Sequence, residues 1–163
     1  MINYGYMLKQ KEKDNTSPML RATYLFSNVG DLVKCYGRSI RFPSDARAYQ
    51  TEMKLALGDI IMQCRMKENE NNKQMHTTRQ AKPNDDTVGY IIGSIVHYTS
   101  LILIDTTTDE NDTENHSHWF TSYTLNEIQL LCDKLNWNFE EISHLGFLHV
   151  CERFEQFERE GWE

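Results

Sequence analysis

Ala56-Leu-Gly-Asp-Ile-Ile-Met62 and Asn28-Val-Gly-Asp-Leu-Val-Lys34 share one local pattern, an Asp placed directly after a Gly inside an apolar run. Around the first lie Met53, Leu57, Ile60, Ile61 and Cys64; around the second lie Leu25, Val29, Leu32, Val33 and Tyr36. Both sets recur at the i, i+3, i+4 spacing of one helix face. The segments therefore read as two helices that each present an Asp, Asp31 and Asp59. Two such helices meeting in a bundle can hold a divalent cation between them. Glu52, Ala56, Asp59 and Gln63 form a separate stripe, because steps of four, three and four residues stay within a narrow sector of a helix. Glu52 thus faces the same way as Asp59. Three residues before each Asp, where a second carboxylate would complete a metal site, stand the neutral Asn28 and Ala56.

Working outward, Ser17-Pro18 reads as the start of the first helix, with Ser as N-cap and Pro at the first helical position. Its end is expected near Phe42-Pro43, since a residue before proline is pushed out of the helical region. Ser44-Asp45 can cap the second helix. Thr124-Leu-Asn-Glu127 has the form of a capping box, with Tyr123 and Ile128 as a hydrophobic staple. Leu125, Ile128, Leu131, Cys132 and Leu135 would be the apolar face that follows. Asn138-Phe-Glu-Glu141 repeats the device, with Trp137 and Ile142 as the staple pair. The last helix then carries Ile142, Leu145, Val150, Phe154 and Phe157 and stops before Gly161. Residues 67–123 differ in composition: an apolar centre, Val88 to Ile104, lies between two polar arms. Its Ile, Val, Tyr and Thr content favours strands, as in a short β-hairpin, although an apolar run is not separated from a buried helix by periodicity alone. Residues 1–16 read as a polar, lysine-rich N-terminal arm.

The chain has 163 residues, enough for one domain with an insertion. A net charge of −7 offers no basic footprint, which argues against a nucleic-acid polymer as partner. Small phosphorylated ligands stay open, because a metal ion can bridge to them. Cys35, Cys64, Cys132 and Cys151 are widely spaced without a CxxC pair, so they read as buried free thiols in a reducing cytoplasm. Residues 1–13 lack the apolar core of a signal peptide. The run from Val88 to Ile104, interrupted by Ser94, His97, Thr99 and Ser100, is short and polar for a membrane span.

Three stretches together resemble the MazG-like all-α nucleoside triphosphate pyrophosphohydrolases. They are Gly58-Asp-Ile-Ile-Met-Gln-Cys-Arg-Met66, Leu130-Leu-Cys-Asp-Lys-Leu-Asn-Trp-Asn-Phe-Glu-Glu-Ile142 and Glu152-Arg-Phe-Glu-Gln-Phe-Glu-Arg-Glu-Gly-Trp162. The resemblance covers residues 20–66 and 124–163. It implies an all-α four-helix bundle formed by residues 17–66 and 124–163, interrupted by the insertion 67–123. It implies Mg2+-dependent hydrolysis of an NTP to NMP and pyrophosphate, with Mn2+ as a substitute, and a homo-oligomer. In that family an ExxE helix pairs with an ExxD helix. Carried over, the first motif falls on Asn28 and Asp31 and the second on Ala56 and Asp59, so four carboxylates become two. Metal ligands would then be Asp31, Asp59 and Asn28, helped by Glu52 from one turn before Ala56. Arg153 matches the family's common Arg-Phe pair in the last helix, and His149 stands where a substrate-contacting Lys or Asn is usual. The same departures leave open a non-catalytic relative that keeps the bundle for binding or assembly.

Overall fold

The computed structural model describes the backbone of residues 18–71, 87–108 and 117–160, with side chains for 19–66, 87–106 and 119–152. The N-terminal arm, both polar arms of 67–123 and the side chains of Arg153, Phe154 and Phe157 lie outside the described residues. The described residues form five helices: α1 (Pro18–Arg41), α2 (Ala46–Asn71), α3 (Val88–Thr108), α4 (Ser117–Leu135) and α5 (Phe139–Glu160), with a short 3-10 turn at Pro43–Asp45. No strand occurs among the described residues, and the fold is all-α as expected.

Helix α2 is the centre of the molecule. It packs against α1, α4 and α5, while α3 lies against α1 and α4. Every residue from Ala56 to Cys64 is buried, which a helix with a single apolar stripe would not permit. The two stripes read from the sequence therefore both face protein, Glu52 alone of the second remaining exposed. Leu25, Val29, Leu32, Ile60, Ile61, Ile95, Ile102, Ile128, Leu131 and Ile142 belong to one continuous core. Val33 and Leu145, expected on apolar faces, are instead exposed.

The apolar centre of the expected insertion corrects the hairpin reading, because it is the helix α3. Its Ile91, Ile95, Thr99 and Ile102 are buried at helical spacing and enter the same core as α1 and α2. Thr87 caps it, its Oγ1 accepting from Tyr90 N–H at 3.1 Å. The hydroxyls of Thr99 and Thr106 donate to the carbonyls four residues back, both at 2.8 Å, so these polar side chains are satisfied within the helix. Strand propensity is a weak preference that packing overrides. By length and composition α3 would also suffice to cross a membrane, with mean hydropathy 1.5 over Val88–Thr106 and 28% of that window buried.

The capping-box reading at Thr124 is also corrected. Helix α4 begins at Ser117, and Thr124 sits inside it with its hydroxyl donating to Phe120 O at 2.7 Å. Aromatic packing accounts for the earlier start: Tyr123 meets Tyr98 of α3 with ring centroids 5.2 Å apart. The expected boundary at residue 124 thus falls within a continuous helix. At the other end of α4 the local grammar holds. Asn136 takes a left-handed φ of 58°. Trp137 N–H bonds Cys132 O at 2.9 Å and Asn136 N–H bonds Asp133 O, the paired bonds of a Schellman ending. Asn138 then caps α5, its Oδ1 accepting from Glu141 N–H at 3.0 Å.

Candidate functional site

The register of α1 against α2 decides where the two acidic segments meet. The helices are joined by a short turn and so run antiparallel. Cys35 Sγ donates to Glu52 Oε2 at 3.4 Å, which sets these two residues level. Moving one turn along each helix in opposite directions brings Asp31 level with Ala56, and a further step brings Asn28 level with Asp59. The four positions singled out by the two Gly-Asp segments thus occupy neighbouring rungs of one helix pair. Each rung holds one carboxylate: Asp59, Asp31 and Glu52 in turn. Burial pushes the Cys35 thiol pKa up, and the hydrogen bond and charge of Glu52 and the charge of Asp31 push it further.

Asp59 is engaged from α5. It is only 6% exposed, and both its oxygens lie against His149 Nδ1 of α5, at 2.8 and 3.1 Å. Helices α1 and α5 do not touch among the described residues. Asp31 and Glu52 are exposed, whereas Asp59, in the same sector of α2 as Glu52 and two turns along, is buried against His149. Asn28, level with Asp59, leaves its buried Nδ2 without a hydrogen-bond partner among the described residues.

What draws Asp59 and His149 together is a backbone contact. A Cβ built on Gly58 would stand 2.7 Å from Ile142 O and 2.8 Å from Gly146 N; one on Gly146 would collide with the backbone of Gly58. Gly58 and Gly146 therefore mark the crossing of α2 and α5, and only residues without a side chain permit it. Asp59 follows the first glycine directly, and His149 stands one turn beyond the second. Gly30 has nothing within 4 Å of its Cβ position. The two Gly-Asp segments are alike in sequence and unlike in use.

Among the described residues no group of three His, Cys, Asp or Glu side chains is placed to hold a metal ion. The fit to Mg2+ is poor on donor chemistry as well. Mg2+ requires near-octahedral oxygen ligands. Ala56 supplies none, Asp59 is engaged by a histidine, and Asp31 and Glu52 lie on rungs separated by a full helical turn. The sequence singled out Asp59 and His149 for separate roles and did not anticipate their pairing. It also passed over Glu127, a buried carboxylate on α4 at 2% exposure, by assigning it to a helix cap. The four cysteines are not joined in disulfides; Cys35, Cys64 and Cys132 are buried and Cys151 half-buried.

In comparisons with known proteins, no family model, curated protein or solved structure matches the chain.

Proposed function

We propose that the chain is a MazG-like relative that keeps the helical bundle as a nucleotide-binding or assembly module, with Mg2+-dependent NTP hydrolysis lost or strongly reduced. The observation that carries this reading is that the acids of the α2 stripe are already engaged, Glu52 by Cys35 of α1 and Asp59 by His149 of α5, with Ala56 between them offering no oxygen. A cation in the seam would find one carboxylate per rung, too few anionic oxygens for a magnesium cage. Exposed apolar side chains on α3 (Tyr90, Ile104) and α5 (Leu145, Leu148) support a homo-oligomer. Free thiols fit a reducing cytoplasm.

A second reading, hydrolysis of an NTP to NMP and pyrophosphate, draws on the register that sets residues 28, 31, 56 and 59 on neighbouring rungs. In it Asp31, Asp59, Asn28 and Glu52 would serve the cation, and His149 and Arg153 the nucleotide. Pyrophosphate release over a panel of canonical and modified NTPs, with Mg2+ or Mn2+, separates the two. The binding-module reading expects no turnover at high protein concentration, together with calorimetric heat for a nucleotide. Turnover abolished by Asp59→Asn would establish the hydrolase. Neither turnover nor nucleotide binding would leave assembly, read by light scattering of the full chain.

A further inference from the structure

Asp59 is one of two buried charged side chains among the described residues, and the group that meets it is an imidazole. A carboxylate only accepts, so the hydrogen between them belongs to His149 Nδ1. In the neutral imidazole the hydrogen bond at one ring nitrogen fixes the tautomer and leaves the other bare. Because the two nitrogens point to opposite sides of the ring, a Nδ1 directed at a buried carboxylate sends Nε2 outward. The imidazole side chain is 44% exposed, which leaves that edge open to solvent. The placement is set by the Gly58–Gly146 backbone contact, which adjoins Asp59 on α2 and lies one turn before His149 on α5.

The geometry points to a metal-independent histidine–carboxylate dyad. Asp59 is a positioning residue, and His149 Nε2 is the acceptor on which a water or a ligand hydroxyl is held and to which that hydroxyl gives up its proton. This goes beyond nucleotide binding and does not depend on it. It also reassigns Asp59: a carboxylate occupied in orienting an imidazole is not a cation ligand.

Three measurements on the full-length protein test the dyad. Long-range proton–nitrogen correlation spectra are expected to show His149 as the Nδ1–H tautomer, with Asp59→Asn shifting it toward a mixture. Substoichiometric Mn2+ is expected to leave the His149 signals no broader than those of His97 and His144. Carbethoxylation by diethyl pyrocarbonate reads the Nε2 lone pair directly. Nε2 attacks a carbonyl carbon, the C–O bond breaks, ethyl carbonate departs as carbon dioxide and ethanol, and the Nδ1 proton is released to Asp59 or water. Peptide mapping should find His149 modified several-fold faster than His97 and His144, although both of those are more exposed residues. A purely structural pair with an occluded Nε2 would react more slowly than either. The Nε2–H tautomer, selective Mn2+ broadening, or slower modification would each overturn the proposal. All three are read on the wild type, so a misfolded Asp59→Asn leaves the test intact.

Discussion

Adding one methyl group at the α2–α5 crossing tests both the fold and the dyad. In Gly58→Ala the new Cβ meets Ile142 O at 2.7 Å, where ordinary contact begins at 3.4 Å. The obstructing atoms are backbone, so the side chains cannot absorb the clash and α5 must lift by about 0.7 Å. The same lift stretches the His149–Asp59 hydrogen bond from 2.8 Å to about 3.5 Å, the outer limit of such a bond. Overpacking of this kind costs about 1–3 kcal/mol. The gain in helix propensity from Gly to Ala offsets up to about 1 kcal/mol of it. Losing a charge-assisted hydrogen bond adds about 1 kcal/mol, at the low end for a partly exposed partner. The expected net loss is about 1–3 kcal/mol for Gly58→Ala and more for Gly146→Ala, where the clash is tighter. Gly30→Ala meets nothing within 4 Å and should stabilise by up to about 1 kcal/mol. Urea unfolding monitored by circular dichroism reads all three. If Gly58→Ala and Gly146→Ala are as stable as Gly30→Ala, the helices do not cross at these glycines and the placement argued for the dyad is lost.

Other consequences are more local. Asn138→Ala removes the α5 cap and should cost about 1 kcal/mol in urea unfolding, with Asn138→Asp retaining most of it. Ser122 is 3% exposed and its buried Oγ has no hydrogen-bond partner among the described residues, so Ser122→Ala should be neutral or stabilising by about 1 kcal/mol in the same assay. Burial raises the Cys132 thiol from 9.0 to about 11, with Asp133 adding to the rise. The native state therefore keeps a proton that the unfolded state gives up across this range. That contribution to stability is complete below pH 9 and is lost as pH climbs toward 11, visible as a falling melting temperature that Cys132→Ala flattens. Ala56→Glu places a carboxylate at a site only 7% exposed, level with Asp31, and should cost about 2 kcal/mol or more. Partial recovery of stability on adding Mg2+ would confirm the register of α1 against α2.

The parts of this fold that were legible in the sequence are those fixed by neighbours along the chain. Pro18 and Pro43 bracket α1, and Asn138 starts α5, because a fixed φ and a cap act within a few residues. What the sequence left open was settled by packing across the chain. Val88–Ile104 reads as strand or helix until Ile91, Ile95 and Ile102 are seen against the core. Thr124 reads as a cap until Tyr123 is seen against Tyr98. The same division runs through the site. The burial of Asp59 follows from its place in the run Ala56–Cys64, but its partner lies ninety residues away and carries no local mark.

One long-range signal was nevertheless present. A glycine inside a helix costs about 1 kcal/mol relative to alanine, so a glycine amid apolar residues needs a reason. Gly58 and Gly146 each meet that description, and the reason is the other. Gly30 also precedes an Asp, yet it is exposed with open space around it, and its Asp31 is exposed as well. The short pattern Gly-Asp therefore carries no fixed role of its own. The role is set by the helix that lies across it: α5 approaches closely enough at Gly58 to deliver His149 to Asp59, and nothing among the described residues approaches Gly30. A carboxylate reached in this way is committed to its histidine, and that commitment is the physical reason to seek the chemistry of this chain at α2 and α5 rather than between its two matching segments.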